Sequence, residues 1–379
     1  MRRKQVCIVS TVPIVLKWFM TPHIKLLSKE YDITLVTNGM AEDLSGLLGS
    51  RVSFVPVRIE RKIAIKDDLI ALLKLWKMFR NARFDSVHSI MPKSGLLSML
   101  AAKMAGVPVR IHSFTGQVWA NKHGLRRAML KFTDKVIATS ATQALADSHS
   151  QRKFLIDNKI VKASSIKVLA DGSISGVDVS RFKYMADAGD QIRKENSIPH
   201  NAIVFLYLGR LNKDKGLIDL SRAFEIAAGT NSKLHLLIVG SDEDNLESIF
   251  ATLSLRFPER VHRVEKTDYP EKYMSASDVF CLPSYREGFG SVIIEAAAVG
   301  LPAIASRIYG ITDAVLDGVT GTLHEPGSKV EIANAILALA SDEENRIKMG
   351  RAARDRVVKK FSEERLSEAL ASFYRKIFS

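Results

Sequence analysis

Short apolar runs alternate with stretches of helical periodicity along nearly the whole of this 379-residue chain. "QVCIVS", "DITLVTN", "RVSFVPV", "FDSVHSI" and "PVRIHSF" read as strands, with helices expected over Phe19–Lys29, near Ile65–Arg80 and over Leu96–Ala105. The rhythm starts again after about residue 200. "AIVFLYLG", "LHLLIVG", "VHRVEK", "DVFCLPS" and "PAIAS" are the strands there, and helices are expected from Leu217 and over Asn245–Leu255, Tyr269–Ala276 and Ser291–Val299. A strand, a crossing helix and a further strand close into a parallel sheet covered on both faces. The length exceeds one ordinary core. The fold class is therefore α/β, with two doubly wound Rossmann-like domains facing across a cleft. The polar, aperiodic piece Arg181–Asn201 reads as the linker, which puts the domains at 1–185 and 186–360. Ligands of such sheets sit beyond the carboxyl ends of the strands.

Charge divides unevenly between these halves. Residues 1–185 hold 30 Lys+Arg against 13 Asp+Glu, a net +17, and the remainder is −3. Such a basic half suits an anionic membrane surface, a phosphorylated substrate or nucleic acid. No stacking-aromatic motif, zinc finger or helix-turn-helix supports nucleic acid. "IALLKLWKMFRNAR" (Ile70–Arg83) and "LRRAMLKF" (Leu125–Phe132) mix apolar and basic side chains, as packing helices with solvated faces or interfacial helices both do. Trp18, Phe19 and Trp76, beside Lys17, Lys74 and Lys77, are the expected membrane anchors. No apolar run is long enough to span a bilayer. "MRRKQVCIVS" lacks the pattern of a signal peptide. Cys7 and Cys281 sit in strand-like runs with no metal spacing, which suits a reducing cytoplasm.

Two loops of the second half carry the chemistry. "LYLGRLNKDKG" ends a strand at Gly209 and presents Arg210 and Lys215, a pair that fits either a diphosphate or a solvated basic turn. "SYREGFGSVIIEAAAVGLP" (Ser284–Pro302) places Glu287 before Gly288, Phe289 and Gly290, then opens a helix at Ser291 with Glu295 just over a turn inside it. Free N–H groups at a helix start attract anions and oxygen-rich ligands. Taken singly, Glu287 is a helix-end carboxylate and Glu295 a solvated helix position. Together with the basic pair they are better explained by a ligand rich in hydroxyls and phosphate. "SDED" (Ser241–Asp244) reads as a helix cap rather than a metal motif.

These residues resemble the retaining GT-B glycosyltransferases of family 4, over nearly the whole chain. The resemblance rests on Glu287-x7-Glu295 around Gly-Phe-Gly, on the upstream "GRL…K.KG", on "SGVDVSRF" (Ser175–Phe182) and on "DGVTGTLHEPGS" (Asp317–Ser328). It implies that Arg210 and Lys215 hold the diphosphate of a nucleotide-sugar beside Gly209. Glu287, with Gly288, Phe289, Gly290 and Ser291, would orient the donor sugar, and Glu295 would bind the ribose. It implies no metal and no cofactor, a UDP-sugar as donor, and a lipid-linked glycan as acceptor in bacterial surface polysaccharide assembly. The first domain would bind the acceptor, and a last helix over about 361–379 would cross back to it. The enzyme would sit peripherally on the inner face of the cytoplasmic membrane.

In the first domain the pattern departs. The first strand–helix loop, "STVPIVLKWFMTPH", has no glycine, and Pro13 stands in it. The central loop reads "RIHSFTGQVW", with Thr115 before Gly116 where the family often has histidine, and His112 three residues earlier. Pro13, Thr115 and Gly116 are the expected acceptor or donor-sugar loop, and His112 is carried as a catalytic candidate. A nucleotide-sugar 2-epimerase or a non-catalytic sugar-nucleotide binder are the alternatives.

Overall fold

The computed structural model describes residues 2–379. The chain folds as two compact units, one running to Gly176 and completed by Glu363–Ser379, the other comprising Val177–Ser362. The boundary expected at 185/186 thus lies at 176/177, and the returning segment starts at Glu363.

In the first unit, strands β1 (Gln5–Val9), β2 (Asp32–Thr37), β3 (Val52–Pro56), β4 (Ser86–Ile90), β5 (Val109–Phe114), β6 (Gln143–Ala146) and β7 (Ile166–Val168) form one sheet in the order β3-β2-β1-β4-β5-β6-β7. In the second, β8 (Ile203–Leu208), β9 (Leu234–Val239), β10 (Val261–Val264), β11 (Val279–Leu282), β12 (Ala303–Ser306) and β13 (Gly321–His324) order as β10-β9-β8-β11-β12-β13. Every strand pairing in both sheets is parallel. All six residues of β9 are buried, as an uninterrupted apolar run requires when helices cover both faces. Cys7 in β1 and Cys281 in β11 are both buried, and burial pushes both thiols up. Winding reverses between β1 and β4 in one sheet and between β8 and β11 in the other. Each reversal opens a crevice at the carboxyl edge.

Two expected elements differ. The single helix over Phe19–Lys29 is a pair, Pro13–Phe19 and Thr21–Leu27, broken at Met20. Pro22 explains the break, because its ring and missing N–H cannot continue a preceding helix. The supposed linker carries a helix, Ala186–Glu195, which packs on the Pro270–Ser275 helix. Gly189 makes that approach possible, since a Cβ there would meet the Ser275 carbonyl.

The last helix, Glu363–Phe378, belongs to the first unit. Its Tyr374 hydroxyl lies 2.9 Å from His88 Nδ1 in β4, and Arg375 pairs with Glu30 at 2.7 Å. The tyrosine is fully buried, in a ring cluster with Tyr31 and Phe378. The second unit's two ends lie together: Val177 N donates to Phe361 O at 2.8 Å, and Val177 bridges to Ser362.

Candidate functional site

At the β8/β11 reversal the loops after both strands are locked together. Gly216 takes φ +69°, and a Cβ there would overlap the Pro283 carbonyl, so only glycine lets the two loops touch. Tyr285 N donates to Asp214 O at 2.8 Å, Tyr285 Oη donates to Asp219 at 2.6 Å, and Arg286 Nη2 reaches Asp214 Oδ2 at 3.3 Å. Within this lock Lys215 Nζ donates to Glu287 Oε1 at 2.5 Å, and Ser284 Oγ donates to the same oxygen at 2.9 Å. The lysine and glutamate side chains are only 20% and 13% exposed. A crowded ion pair therefore marks the centre of the crevice.

Arg210 follows β8, and its carbonyl is pinned by the Tyr207 hydroxyl at 2.7 Å. Its guanidinium is half exposed and grips both oxygens of Glu243, at 2.9 and 3.2 Å. Glu243 belongs to "SDED", whose other acids organise the loop. Asp242 accepts from the amides of Asp244 and of Glu247, the first residue of the Glu247–Arg256 helix, and Asp244 accepts from Lys213 N. Asp242 is thus a helix-start acceptor as expected. The pairing of Glu243 with Arg210 is a contact that sequence reading missed, and the acidic run after a strand was its only signal.

Gly290 caps the Ser291–Val299 helix in the left-handed region at φ +81°. Phe289 is buried edge-on to Phe361 with ring centroids 5.2 Å apart, so its side chain serves the core and only its backbone faces the loop. Glu295 retains some exposed surface but has no hydrogen-bond partner among the described residues. Desolvation pushes its carboxyl up to about 7, opposed by Arg181 and reinforced by Glu271. It is not the solvated position that its helix spacing alone suggests.

In the first unit, Pro13 opens the helix after β1, and Thr115 and Gly116 follow β5, so all three stand at the carboxyl edge of the sheet. His112 does not belong with them. It lies inside β5, 1% exposed, with Nδ1 2.8 Å from Ser89 Oγ and its ring against the place where Gly95 lacks a Cβ. Burial, with His88 nearby, depresses it to about 3 and keeps the ring neutral. The catalytic expectation for His112 is corrected: it is a packed strand residue.

The same unit carries a mixed apolar and basic surface. The Ile65–Ala82 and Gly124–Ser140 helices both pack on the Pro92–Met104 helix. They leave Leu69, Ile70 and Leu73, and Leu125, Met129 and Phe132, exposed among Lys66, Lys74, Lys77, Arg126 and Lys135. Trp18 is 45% exposed. Phe19 is partly buried, and Trp76 packs on the core with Arg80 over its ring, so the latter is not the exposed anchor expected of it. Among the described residues no helix is long and apolar enough to cross a membrane.

Comparison with known proteins gives this two-sheet architecture its class, the glycosyltransferases. Residues 189–356 match the family described as glycosyl transferases group 1, and residues 25–172 match the glycosyl transferase 4-like domain. The capsular polysaccharide biosynthesis glycosyltransferase CapM of Staphylococcus aureus is 30% identical over 354 residues, covering 92% of this chain and 91% of CapM. The UDP-Gal:alpha-D-GlcNAc-diphosphoundecaprenol alpha-1,3-galactosyltransferase of Escherichia coli is 28% identical over 344 residues, covering 89% of this chain and 87% of that protein. The crystal structure of Anabaena HepE in complex with UDP superposes with a TM-score of 0.80 at 16% identity, covering 98% of this chain and all of that one. The chain belongs to the GT-B glycosyltransferases of the family 4 type, and it is a glycosyltransferase.

Proposed function

We propose that this glycosyltransferase moves a sugar, with retention, from a UDP-sugar to a polyprenyl-diphosphate-linked glycan during assembly of a bacterial surface polysaccharide. The observation that carries the reading is the set of Lys215, Glu287, Arg210 and Glu295 around one strand reversal. Support for UDP comes from the HepE complex and from the donor in the E. coli relative's name. The lipid-linked acceptor rests on that same name, and the capsular setting on CapM.

In this reading Arg210 exchanges Glu243 for the donor diphosphate, and Lys215 meets the same group from the other loop. Both stabilise the charge that grows as the bond from the anomeric carbon to phosphate oxygen breaks. The start of the Ser291–Val299 helix adds N–H donors, so the side chains and helix end do the work otherwise given to a metal. The acceptor hydroxyl oxygen bonds to the anomeric carbon on the face the diphosphate leaves, and its proton passes to the departing phosphate oxygen. Glu287 orients the sugar and Glu295 accepts from the ribose hydroxyls. Pro13, Thr115 and Gly116 line the acceptor side. The first unit docks on the anionic inner face of the cytoplasmic membrane through its apolar and basic helices, each basic group contributing about 1 kcal/mol.

Thermal shift with UDP-, GDP- and ADP-sugars, followed by transfer to a synthetic undecaprenyl-diphosphate-linked sugar, tests this. A raised melting temperature with a UDP-sugar and an axial-to-axial product by NMR are expected. An inverted linkage, or release of UDP with water as the only acceptor, overturns it.

A further inference from the structure

Among the described residues the Arg210 guanidinium has Glu243 as its sole partner, and the Glu243 carboxylate has Arg210. The backbone enforces the pairing. A Cβ on Gly240 would overlap the Gly209 carbonyl, so the loops after β8 and β9 run in contact. Leu211 N donates to Ser241 O at 2.8 Å, Glu243 N donates to Leu211 O at 2.9 Å, and Leu211 bridges to Asp242. Asp244 Oδ2 accepts from Lys213 N at 2.8 Å. Glu243 is therefore delivered by a loop stitched to the arginine's own, and only its side chain is free to swing. Its grip is incomplete. Both carboxylate oxygens share Nη1, at 3.2 and 2.9 Å, so Nε and Nη2 make no hydrogen bond within the described residues. A guanidinium carries five N–H donors, and those on Nε and Nη2 are left for a second anion. With side chains 52% and 37% exposed, the pair is also of the kind that solvent weakens.

We propose that Glu243 is a built-in competitor for the nucleotide diphosphate at Arg210, holding the guanidinium until a nucleotide arrives and giving it up in two stages. The inference rests on the reading of Arg210 as a diphosphate ligand. A phosphate oxygen first takes Nε or Nη2 while Glu243 keeps Nη1. A second oxygen then completes the parallel two-bond geometry that arginine makes with phosphate, a better match than two oxygens on one nitrogen. The carboxylate, now facing like charge, swings out. As UDP departs Glu243 returns, so it works against donor and product alike. A carboxylate that merely steadied the loop, or aimed Arg210 at the ligand, would strengthen nucleotide binding. A competitor weakens it, and the sign of the change on its removal tells the two apart.

The experiment is UDP binding to the full chain by calorimetry and uridine binding by ligand-observed NMR, in low salt and at about 1 M salt. The proteins are wild type, Glu243→Gln, Arg210→Met and the double variant. In low salt Glu243→Gln should bind UDP about fivefold more tightly, the upper end for an exposed ion pair. At 1 M, where the Debye length falls to about 3 Å, the gain should shrink below about twofold. Uridine, which has no phosphate, should bind wild type and Glu243→Gln alike, and inhibition by product UDP should strengthen in step with UDP affinity. Arg210→Met should weaken UDP binding, and adding Glu243→Gln to it should regain less than about twofold. A Glu243→Gln chain that binds UDP no better than wild type overturns the inference, as does one that gains as much for uridine or in the Arg210→Met background. In each of those cases a weakened Arg210→Met keeps the diphosphate reading. Full UDP affinity in Arg210→Met, or a wild type that binds no UDP, overturns that reading and the inference with it.

Discussion

Replacing Lys215 by methionine keeps the length of the side chain and removes its charge. Glu287 then keeps only the Ser284 hydroxyl as a partner in a crowded loop. Breaking a fully buried ion pair costs 3–5 kcal/mol. The side chains here retain 20% and 13% of their exposure, so solvent reduces the cost to about 2–3 kcal/mol. With a urea slope of about 2 kcal/mol/M, the unfolding midpoint of the second unit should drop by about 1 M. Turnover should fall by about 10²–10³, the loss typical when a group facing developing charge is removed. The double variant Lys215→Met/Glu287→Gln separates the two effects. A neutral pair leaves no charge stranded, so stability should return to within about 1 kcal/mol of wild type, while turnover stays low. Urea melts followed by far-UV circular dichroism, alongside release of UDP from the donor in the presence of acceptor, read both quantities. A Lys215→Met chain as stable as wild type would refute the claim that the pair is desolvated. Recovery of turnover in the double variant would refute its part in the reaction.

Glu295→Gln should weaken plain UDP and the intact donor alike, and Glu287→Gln mainly the intact donor; equal losses for both ligands in both variants, by calorimetry, contradict that division. His23, His88 and His112 are held neutral by burial, at about 4, 3 and 3. An unfolded chain binds those protons near pH 6.5, so their stabilisation is complete above that value and is lost as pH falls toward 3. Melting temperature should therefore decline steeply below pH 6, and a flat profile from pH 7 to 4.5 counts against it. Leu69→Glu with Phe132→Glu should abolish co-sedimentation with anionic vesicles and leave soluble-donor binding intact; unchanged, salt-insensitive sedimentation removes those helices from the membrane contact. Gly216→Ala, at φ +69° and against the Pro283 carbonyl, should unlock the two loops and lower both the melting temperature and the affinity for UDP.

The parallel sheets were legible because their strands are buried on both faces and write themselves as unbroken apolar runs, as in "LHLLIV". The Ala186–Glu195 helix was not, because it buries only Gly189 and Ile192 and owes its place to a partner some eighty residues later. Lys215, Glu287 and Glu295 could be found from loop position and local spacing. Their partners could not. Glu243 lies 33 residues from Arg210 and Glu271 lies 90 from Arg181, separations that only the folded sheet order brings together. His112 misled for a related reason: though near the central loop in sequence, it lies inside β5, and strand residues point into the sheet's covering layers. Trp76 and the half-exposed leucines of the same helix show the converse, since an amphipathic pattern does not say which large apolar groups face inward.

The adjacency of Val177 with Phe361 and Ser362 has a bearing on how the chain is made. The Val177–Ser362 unit is inserted in the sequence of a first unit whose closing piece, with the Tyr374 hydroxyl against His88, is encoded after it. During synthesis at 5–20 residues per second, roughly 10–40 s separate emergence of the seven-stranded sheet from arrival of that helix. Throughout that interval the nascent first half presents an unfilled apolar seat at Tyr31, while the later half can close on itself. The order of completion on the ribosome is thus the reverse of the order of translation.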